Sequence, residues 1–122
     1  MSTRKKPLEG VKVVELANFI AAATTGRFLA DLGADVIKVE SAKGDPLRYT
    51  APTEGRPLDM YENTTWELEN ANKRCISLNM KDPKGKEAFF KLLDEADILI
   101  TNWRVQALQR AGLDYETLKV KY

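Results

Sequence analysis

The residues best suited to binding a nucleotide follow an apolar run near the end of the chain. Residues 98–100 are Ile-Leu-Ile, typical of a buried strand, and Asn102, Trp103 and Arg104 come soon after them. Trp103 offers a flat face for a base, and Arg104 and Arg110 offer positive charge for phosphate groups. Parallel sheets bind their ligands at the carboxyl ends of the strands. A capped helix whose tryptophan packs in the core fits the same pattern equally well.

Two other charged positions raise the question of ligand binding. Lys73 and Arg74 are adjacent cations before a further apolar run, which suits an anchor for phosphates or carboxylates, although spacing alone favours a solvated turn. Glu40 ends the second predicted strand, where dinucleotide-binding proteins place a carboxylate for the ribose. Residues 17–26 contain Gly26 but no G-x-G-x-x-G motif, so a dinucleotide site is disfavoured and Glu40 is interpreted as a solvated charge.

Composition excludes several kinds of chemistry. The 122 residues include 19 Lys and Arg, 18 Asp and Glu and no histidine, giving a net charge of +1. This balance argues against a nucleic-acid-binding surface, and the lack of histidine excludes a Ser-His-Asp or Cys-His nucleophile within the chain. Cys75 is the only cysteine, so a Cys/His zinc site and an internal disulfide are excluded. We interpret Cys75 as an inert residue of a buried strand and the scattered aspartates as solvated groups or helix caps.

The composition is that of an ordinary soluble globular protein, with 43% hydrophobic and 30% charged residues. The longest uncharged stretch, residues 16–26, is too short and too polar to cross a membrane. We read no signal peptide at the N-terminus and expect a cytoplasmic protein without a membrane partner.

Apolar runs and turn residues predict alternating strands and helices. The predicted elements are, in chain order, a strand at 11–16, a helix at 20–32 ended by Gly33, a strand at 34–40, a short helix carrying Tyr61 and Trp66 within 59–72, a strand at 75–78, a helix begun by Asp82 and Pro83, a strand at 98–100, a helix ended by Gly112 and a last helix capped by Asp114. Residues 1–7 are interpreted as a loose tail and residues 41–73 as a long excursion of the kind that is usually functional. This alternation predicts an α/β fold with a Rossmann-like parallel sheet and helices on both faces. Because it stops inside its own pattern, we expect the sheet to be incomplete at the C-terminus and the chain to be part of a longer protein.

Helical spacing predicts which side chains face the sheet. In the first helix the expected apolar stripe is Phe28, Leu29 and Leu32. In the later helices the expected inward residues are Ala88, Phe89, Leu92, Leu93, Ala96, Val105, Leu108 and Ala111.

Longer motifs resemble the opening of the family III CoA-transferases, the formyl-CoA and carnitine type. The runs that carry the resemblance are PLEGVKVVEL at 7–16, LADLGADVIKVE at 29–40, NKRCISL at 72–78 and ADILITNWR at 96–104. The likeness covers nearly the whole chain from Pro7 on and keeps the family's motif order. It implies that residues 1–122 are the N-terminal part of a large CoA-binding Rossmann-like domain.

A subgroup, the (R)-2-hydroxyacyl-CoA transferases, is similar at ELANFIAA (15–22), GDPLRYTAP (44–52) and LDYETLK (113–119). The resemblance implies transfer of CoA from an acyl-CoA to a small 2-hydroxy acid in amino-acid fermentation, with CoA as substrate and no permanently bound cofactor. Family members form interlocked homodimers and use an aspartate that becomes an aspartyl-CoA thioester. That aspartate belongs beyond residue 122, so no catalytic residue is assigned here. The rival hypotheses are a formyl-CoA or carnitine-type transferase that uses another acid, and a non-catalytic nucleotide-binding or interaction module.

Matching the family's motifs assigns nine residues to the CoA-binding site. These are Phe19, Ile20 and Ala21 beside the CoA, Leu78 and Lys81 at the adenine, Asn102 and Trp103 along the nucleotide, and Arg104 and Arg110 at its phosphates. The chain departs from the family at residues 21–23, which are all alanine where Ala-Gly-Pro or Ala-Ala-Pro is common. It departs again at Ser41, where a basic residue is common, so we expect the adenine pocket to differ in detail.

Overall fold

A four-stranded parallel sheet forms the centre of the computed structural model, which describes residues 4–122. The strands are β1 (Lys12–Leu16), β2 (Asp35–Glu40), β3 (Arg74–Ser77) and β4 (Ile98–Thr101), and their order across the sheet is β3-β2-β1-β4. Val14 pairs with Ile37 on one side and with Leu99 on the other, so β1 is central. The predicted parallel β-α-β unit is confirmed, and all four strands end at the same edge of the sheet.

Helices cover both faces of this sheet, as predicted. They are α1 (Ala21–Asp31), α2 (Thr64–Asn70), α3 (Pro83–Glu95), α4 (Val105–Ala111) and α5 (Tyr115–Leu118). Asp82 accepts a hydrogen bond from the Lys84 amide at 2.8 Å and so begins α3. Asp114 caps α5 in the same way, and Gly112 ends α4 in the left-handed region, with φ 71°.

The alternating side chains of β1 face two separate apolar clusters. Val14 and Leu16 pack with Phe89 and Leu93 of α3, and parts of α4 and α5 close this cluster. Val13 faces the other way, into a cluster that includes Ala30 of α1. Alternate residues of a strand point to opposite faces, so one short run anchors both layers of helices.

The predicted apolar stripe of α1 is wrong at Phe28 and Leu32, although Leu29 does pack against the core. Phe28 is 62% exposed and Leu32 is 46% exposed, whereas the buried face consists of small residues. Those residues are Ala22, Ala23, Gly26 and Ala30. A side chain at Gly26 would overlap the Glu15 carboxylate below it, so this face packs closely on the sheet and large side chains point outward.

Two further predictions about burial are wrong. Val105, expected to face inward, is 61% exposed, while Leu108 and Ala111 do pack against the core. Cys75 is exposed because β3 lies at the edge of the sheet, where all four of its residues are exposed.

The long excursion contains more regular structure than its glycines and prolines predict. Two 3₁₀ helices, Pro46–Tyr49 and Ala51–Glu54, occupy the part that was expected to be irregular. The predicted short helix is α2, which includes Trp66 but leaves Tyr61 outside and 91% exposed. The predicted tail, residues 1–7, lies partly outside the described residues, and a turn follows at 7–10.

Candidate functional site

A cleft runs along the carboxyl edge of the sheet and consists of two adjoining cavities. The larger has a volume of about 1420 Å³ and lies between residues 41–49, residues 78–86 and α4. The smaller, about 610 Å³, lies between the turn after β1 and the start of α4. Asn18, Trp103, Ala107 and Arg110 line both cavities, so they form one continuous site.

Seven of the nine residues assigned by resemblance line this cleft. Those in the smaller cavity are Phe19, Asn102, Trp103, Arg104 and Arg110, and those in the larger are Leu78, Lys81, Trp103 and Arg110. Ile20 and Ala21 line neither cavity and are exposed at the start of α1. The structure therefore brings most of the predicted site together, while the role of these residues in CoA binding stays a prediction.

Trp103 belongs to both of the environments that the sequence left open. Its indole is half-buried, packs against the apolar cluster beneath β1 and also lines both cavities. The Trp103 amide donates to Thr101 Oγ1 at 3.2 Å, which fixes the backbone where β4 ends. The side chain thus packs on the core while the residue still borders the cleft, an arrangement suited to stacking on a base.

The Asn102 amide side chain joins the two loops at the end of the sheet. Its Oδ1 accepts from the Asn18 amide at 3.0 Å, and its Nδ2 donates to the Asn18 carbonyl at 2.6 Å. Phe19 comes next and adopts a left-handed conformation, φ 60°, which is uncommon for a residue other than glycine. Its amide donates to Asp45 Oδ1 at 3.0 Å. The turn after β1 is therefore held from two sides.

The walls of the cleft are strongly cationic. They carry Lys43, Lys81, Lys86, Arg104 and Arg110, and within residues 4–122 none of these five side chains has an ion-pair partner. Sequence reasoning missed Lys43 and Lys86, because only the fold brings the two sides of the larger cavity together. The one carboxylate of the lining, Glu40, is already paired with Arg48. An unpaired cationic cleft of this size is suited to a ligand with several negative charges.

The interpretation of Glu40 as a solvated charge is wrong. Glu40 is 8% exposed, and its carboxylate accepts from Arg48 Nε and Nη2, both at 2.9 Å. The Glu40 carboxylate raises the pKa of Arg48, and the guanidinium stacks 3.6 Å from the centre of the Trp66 ring. These contacts fold the excursion back onto the end of β2.

Neither Lys73 nor Arg74 is a free anchor for a ligand, and the interpretation as a solvated turn is wrong for Lys73. Lys73 Nζ lies 2.7 Å from Glu15 Oε2 with both side chains fully buried, and it donates to the Ala23 carbonyl at 2.7 Å. Burial lowers the pKa of Lys73, and Glu15 offsets this only in part. Arg74 instead makes a two-pronged contact with Asp35 at the surface. Lys73, the cation just before β3, thus binds the Glu15 carboxylate of the protein itself rather than a ligand.

Comparison with known proteins gives the site a family. The sequence model of CoA-transferase family III matches residues 8–122 of the chain. The chain belongs to CoA-transferase family III. Among characterised members, cinnamoyl-CoA:phenyllactate CoA-transferase of Clostridium sporogenes is 64% identical over 122 residues, which are 100% of this chain and 30% of that protein. (R)-2-hydroxy-4-methylpentanoate CoA-transferase of Clostridioides difficile is 50% identical over 94% of this chain and 29% of its own length.

The same relationship holds for solved structures. A CAIB/BAIF family protein from Brucella suis matches 96% of this chain and 31% of its own chain, with a TM-score of 0.80 and 41% identity. The chain thus spans about 30% of the length of the family III relatives that it matches. The predicted family and the predicted α/β fold are both confirmed.

Residues 4–122 contain neither a metal-binding cluster nor a membrane-spanning helix. Among residues 4–122, no three acidic or cysteine side chains lie together in a way that could hold a metal ion. None of the helices described above is both long and apolar enough for a membrane span.

Proposed function

We propose that this chain supplies part of the CoA-binding site of a transferase that moves CoA from an acyl-CoA to a small (R)-2-hydroxy carboxylic acid. The observation that carries the proposal is the cationic cleft, with its five unpaired cations around a half-buried indole. CoA presents both complementary groups, an adenine ring and several phosphates. Stacking recognises the base, and charge-assisted hydrogen bonds recognise the phosphates.

The geometry supports a division of roles along the cleft. Trp103 lies where the two cavities join, so it is placed to stack on the adenine. Lys43 and Lys86 come from opposite sides of the larger cavity, and Arg110 reaches both cavities. We assign the phosphates to these cations together with Arg104, and the thioester end to the side of Phe19.

The class of acid is proposed from the relatives. The two named above act, by their names, on phenyllactate and on 2-hydroxy-4-methylpentanoate, which are both 2-hydroxy acids. At 64% and 50% identity they are more similar to this chain than the relatives named for succinate and glutarate or for oxalate, at 32% to 40%. This difference favours a 2-hydroxy acid over the other acids that the family uses.

The proposed chemistry is an exchange of carboxylates on one thioester. An aspartate outside residues 1–122 attacks the acyl-CoA carbonyl, and the CoA thiolate leaves a mixed anhydride behind. The thiolate then attacks the aspartyl carbonyl and releases the first acid, which leaves an aspartyl-CoA thioester. The 2-hydroxy acid enters by the reverse sequence and leaves as its CoA thioester. Residues 1–122 therefore bind and orient CoA in an interlocked homodimer, and alone they should not transfer it.

Tryptophan fluorescence tests the nucleotide role of the cleft. In the full-length product of the gene, Trp66→Phe removes the second tryptophan of this region but keeps an aromatic face for Arg48. Titration with CoA should change the Trp103 emission and saturate, and free adenosine 3′,5′-bisphosphate should compete. Arg110→Ala should weaken binding by about tenfold, since a lost charge-assisted contact costs about 1.5 kcal/mol or more.

A matched lysine pair on α3 serves as the control. Lys86 lines the cleft, whereas Lys91 lies on the outer side of the same helix, where it pairs with Glu87. Lys86→Ala should weaken CoA binding, and Lys91→Ala should leave it unchanged although both remove one charge. If calorimetry shows that CoA binds while the Trp103 emission does not change, the indole is only a core residue. The proposed nucleotide-binding role of the cleft is then wrong.

A further inference from the structure

A cluster of four charged side chains is buried behind the cleft, and none of the four lines it. Lys38 Nζ lies 2.9 Å from both Glu15 Oε1 and Asp45 Oδ2, and it donates to the Ala17 carbonyl at 3.1 Å. Lys73 closes the cluster through the second oxygen of Glu15. All four side chains are fully buried, and the two cations balance the two carboxylates. A balanced, fully buried cluster fixes its members firmly, because bulk water cannot reach it to replace a lost partner.

Asp45 connects this cluster to both sides of the cleft. Its Oδ2 pairs with Lys38, and its Oδ1 accepts from the Phe19 amide at 3.0 Å and from the Leu47 amide at 2.9 Å. Phe19 lies in the turn after β1 and lines the smaller cavity. Leu47 lies in the 3₁₀ helix whose first and last residues, Pro46 and Tyr49, line the larger cavity. The buried Asp45 carboxylate therefore fixes the positions of both the Phe19 turn and the 3₁₀ helix relative to the cleft.

The conformation of Phe19 shows why such a link is needed. Its positive φ of 60° is strained for a residue with a side chain, and such strain persists only where the surroundings impose it. The hydrogen bond from the Phe19 amide to Asp45 and the hydrogen bonds between Asn102 and Asn18 are the contacts that impose it. Without the bond to Asp45, the turn should relax and move the Phe19 wall.

We propose that Asp45 is a positioning residue for CoA binding, held in place by the buried cluster and acting through the Phe19 amide. The proposal rests on the proposed function, because it assumes that the cleft is the CoA site. Asp45 itself would not touch CoA. Its loss should therefore change the affinity for CoA and the KM for acyl-CoA more than kcat.

Two double variants of the full-length protein separate the hydrogen-bond acceptor at position 45 from its carboxylate charge. Lys38→Met/Asp45→Asn and Lys38→Met/Asp45→Ala both remove one cation and one carboxylate, so the remaining Glu15–Lys73 pair stays balanced. They differ in the acceptor, since asparagine keeps an oxygen that accepts from the Phe19 and Leu47 amides and alanine does not. Val36→Ala, near the amino end of β2 and away from the cleft, serves as a control for general loss of stability.

Calorimetry with CoA measures the affinity, and steady-state kinetics with an acyl-CoA separate an effect on KM from an effect on kcat. The asparagine variant should bind within about threefold of wild type, and the alanine variant about tenfold more weakly, because it lacks the acceptor that holds the Phe19 amide. The KM for acyl-CoA should follow the affinity while kcat changes little. Val36→Ala should leave both unchanged. Equal CoA affinities in the two double variants would overturn the proposal.

Hydrogen exchange of the Phe19 amide tests the same link without CoA. Exchange should be fast in the alanine variant and slow in wild type and the asparagine variant. If wild type fails to bind CoA, the proposed function is wrong, and the exchange rates still decide whether Asp45 holds the turn. If the alanine variant does not fold, Lys38→Met/Asp45→Val, which also lacks an acceptor, takes its place, and slow exchange of Phe19 in that variant would overturn the proposal.

Discussion

Replacing Lys38 by methionine should destabilise the protein severely. Methionine has a similar length and fills much of the space, so the main loss is the charge that lies 2.9 Å from both Glu15 and Asp45. These carboxylates would then face each other in a fully buried site with Lys73 as their only cation. Removing one partner of a buried ion pair costs about 3–5 kcal/mol, a large part of the roughly 5–15 kcal/mol that stabilises a typical domain.

The pH dependence gives this prediction a second signature. In wild type, Glu15 and Asp45 outweigh the effect of burial and raise the pKa of Lys38. A raised lysine pKa adds stability that is fully present below the unfolded value of 10.5 and is lost only as the pH rises through the folded value. In Lys38→Met this contribution is missing, so the deficit relative to wild type should be full at neutral pH and should shrink only as the pH rises well above 10.5.

Urea unfolding followed by far-UV circular dichroism measures the effect. The second substitution in Lys38→Met/Asp45→Asn removes the stranded charge, so this double variant should recover most of the lost free energy of unfolding. Lys12→Met is the matched control, since Lys12 pairs with Glu95 at the surface, where such pairs contribute little. The reasoning would be refuted if Lys38→Met lost no more stability than Lys12→Met, or if the deficit did not shrink as the pH rose well above 10.5.

Three more predictions follow from the packing and from the pKa directions. Gly26→Ala should lower stability although alanine is the better helix former, because the new methyl group would overlap the Glu15 carboxylate; urea unfolding would show a higher midpoint if this is wrong. Phe89→Ala should cost about 3–5 kcal/mol by the same assay, since Phe89 is fully buried between α3 and the sheet. Cys75 should react slowly with iodoacetamide at neutral pH, with a rate that rises most above pH 9. Although the residue is exposed at the sheet edge, partial burial of its thiol and then the Glu40 charge raise its pKa. Rapid alkylation at neutral pH would contradict that direction.

The order of the elements was predictable because it depends on local signals. The β-branched run of β1, the Asp82 cap of α3 and the left-handed Gly112 act within a few residues of themselves. Parallel pairing then follows from the alternation of strands and helices. The buried face of α1 was not predictable in this way. Ala22, Ala23 and Gly26 give a weak apolar signal, and the larger Phe28 and Leu32 gave a stronger but misleading one.

The charged interior could not be predicted from spacing at all. Glu15, Lys38 and Glu40 lie within strands, yet a sequence rule treats each charge as solvated unless its partner is known. The partners are far away in the chain: Glu15 meets Lys38 after 23 residues, and Lys73 meets the Ala23 carbonyl after 50. Only the folded sheet edge brings them together. The same applies to Lys43 and Lys86, which local patterns leave unmarked on the two sides of the cleft.

The location of the candidate site was predictable to a larger extent. Strand ends of a parallel sheet converge, so the residues after β4 were expected at a ligand edge, and Trp103 and Arg110 do line the cleft there. Ile20 and Ala21 were assigned by resemblance and line neither cavity. Their place at the start of α1 directs them away from the groove that Phe19 borders.

The most direct test of the proposed function is CoA exchange by the full-length protein, compared between wild type and the cleft variant Arg110→Ala. The protein is incubated with an acyl-CoA and, in turn, with (R)-2-hydroxy acids, dicarboxylic acids and oxalate, and the thioesters are separated by chromatography. We predict that a 2-hydroxy acid becomes the new CoA thioester, and that Arg110→Ala raises the KM for acyl-CoA with little change in kcat. Exchange that occurs only with dicarboxylic acids or oxalate, or kinetics that Arg110→Ala leaves unchanged, would contradict it.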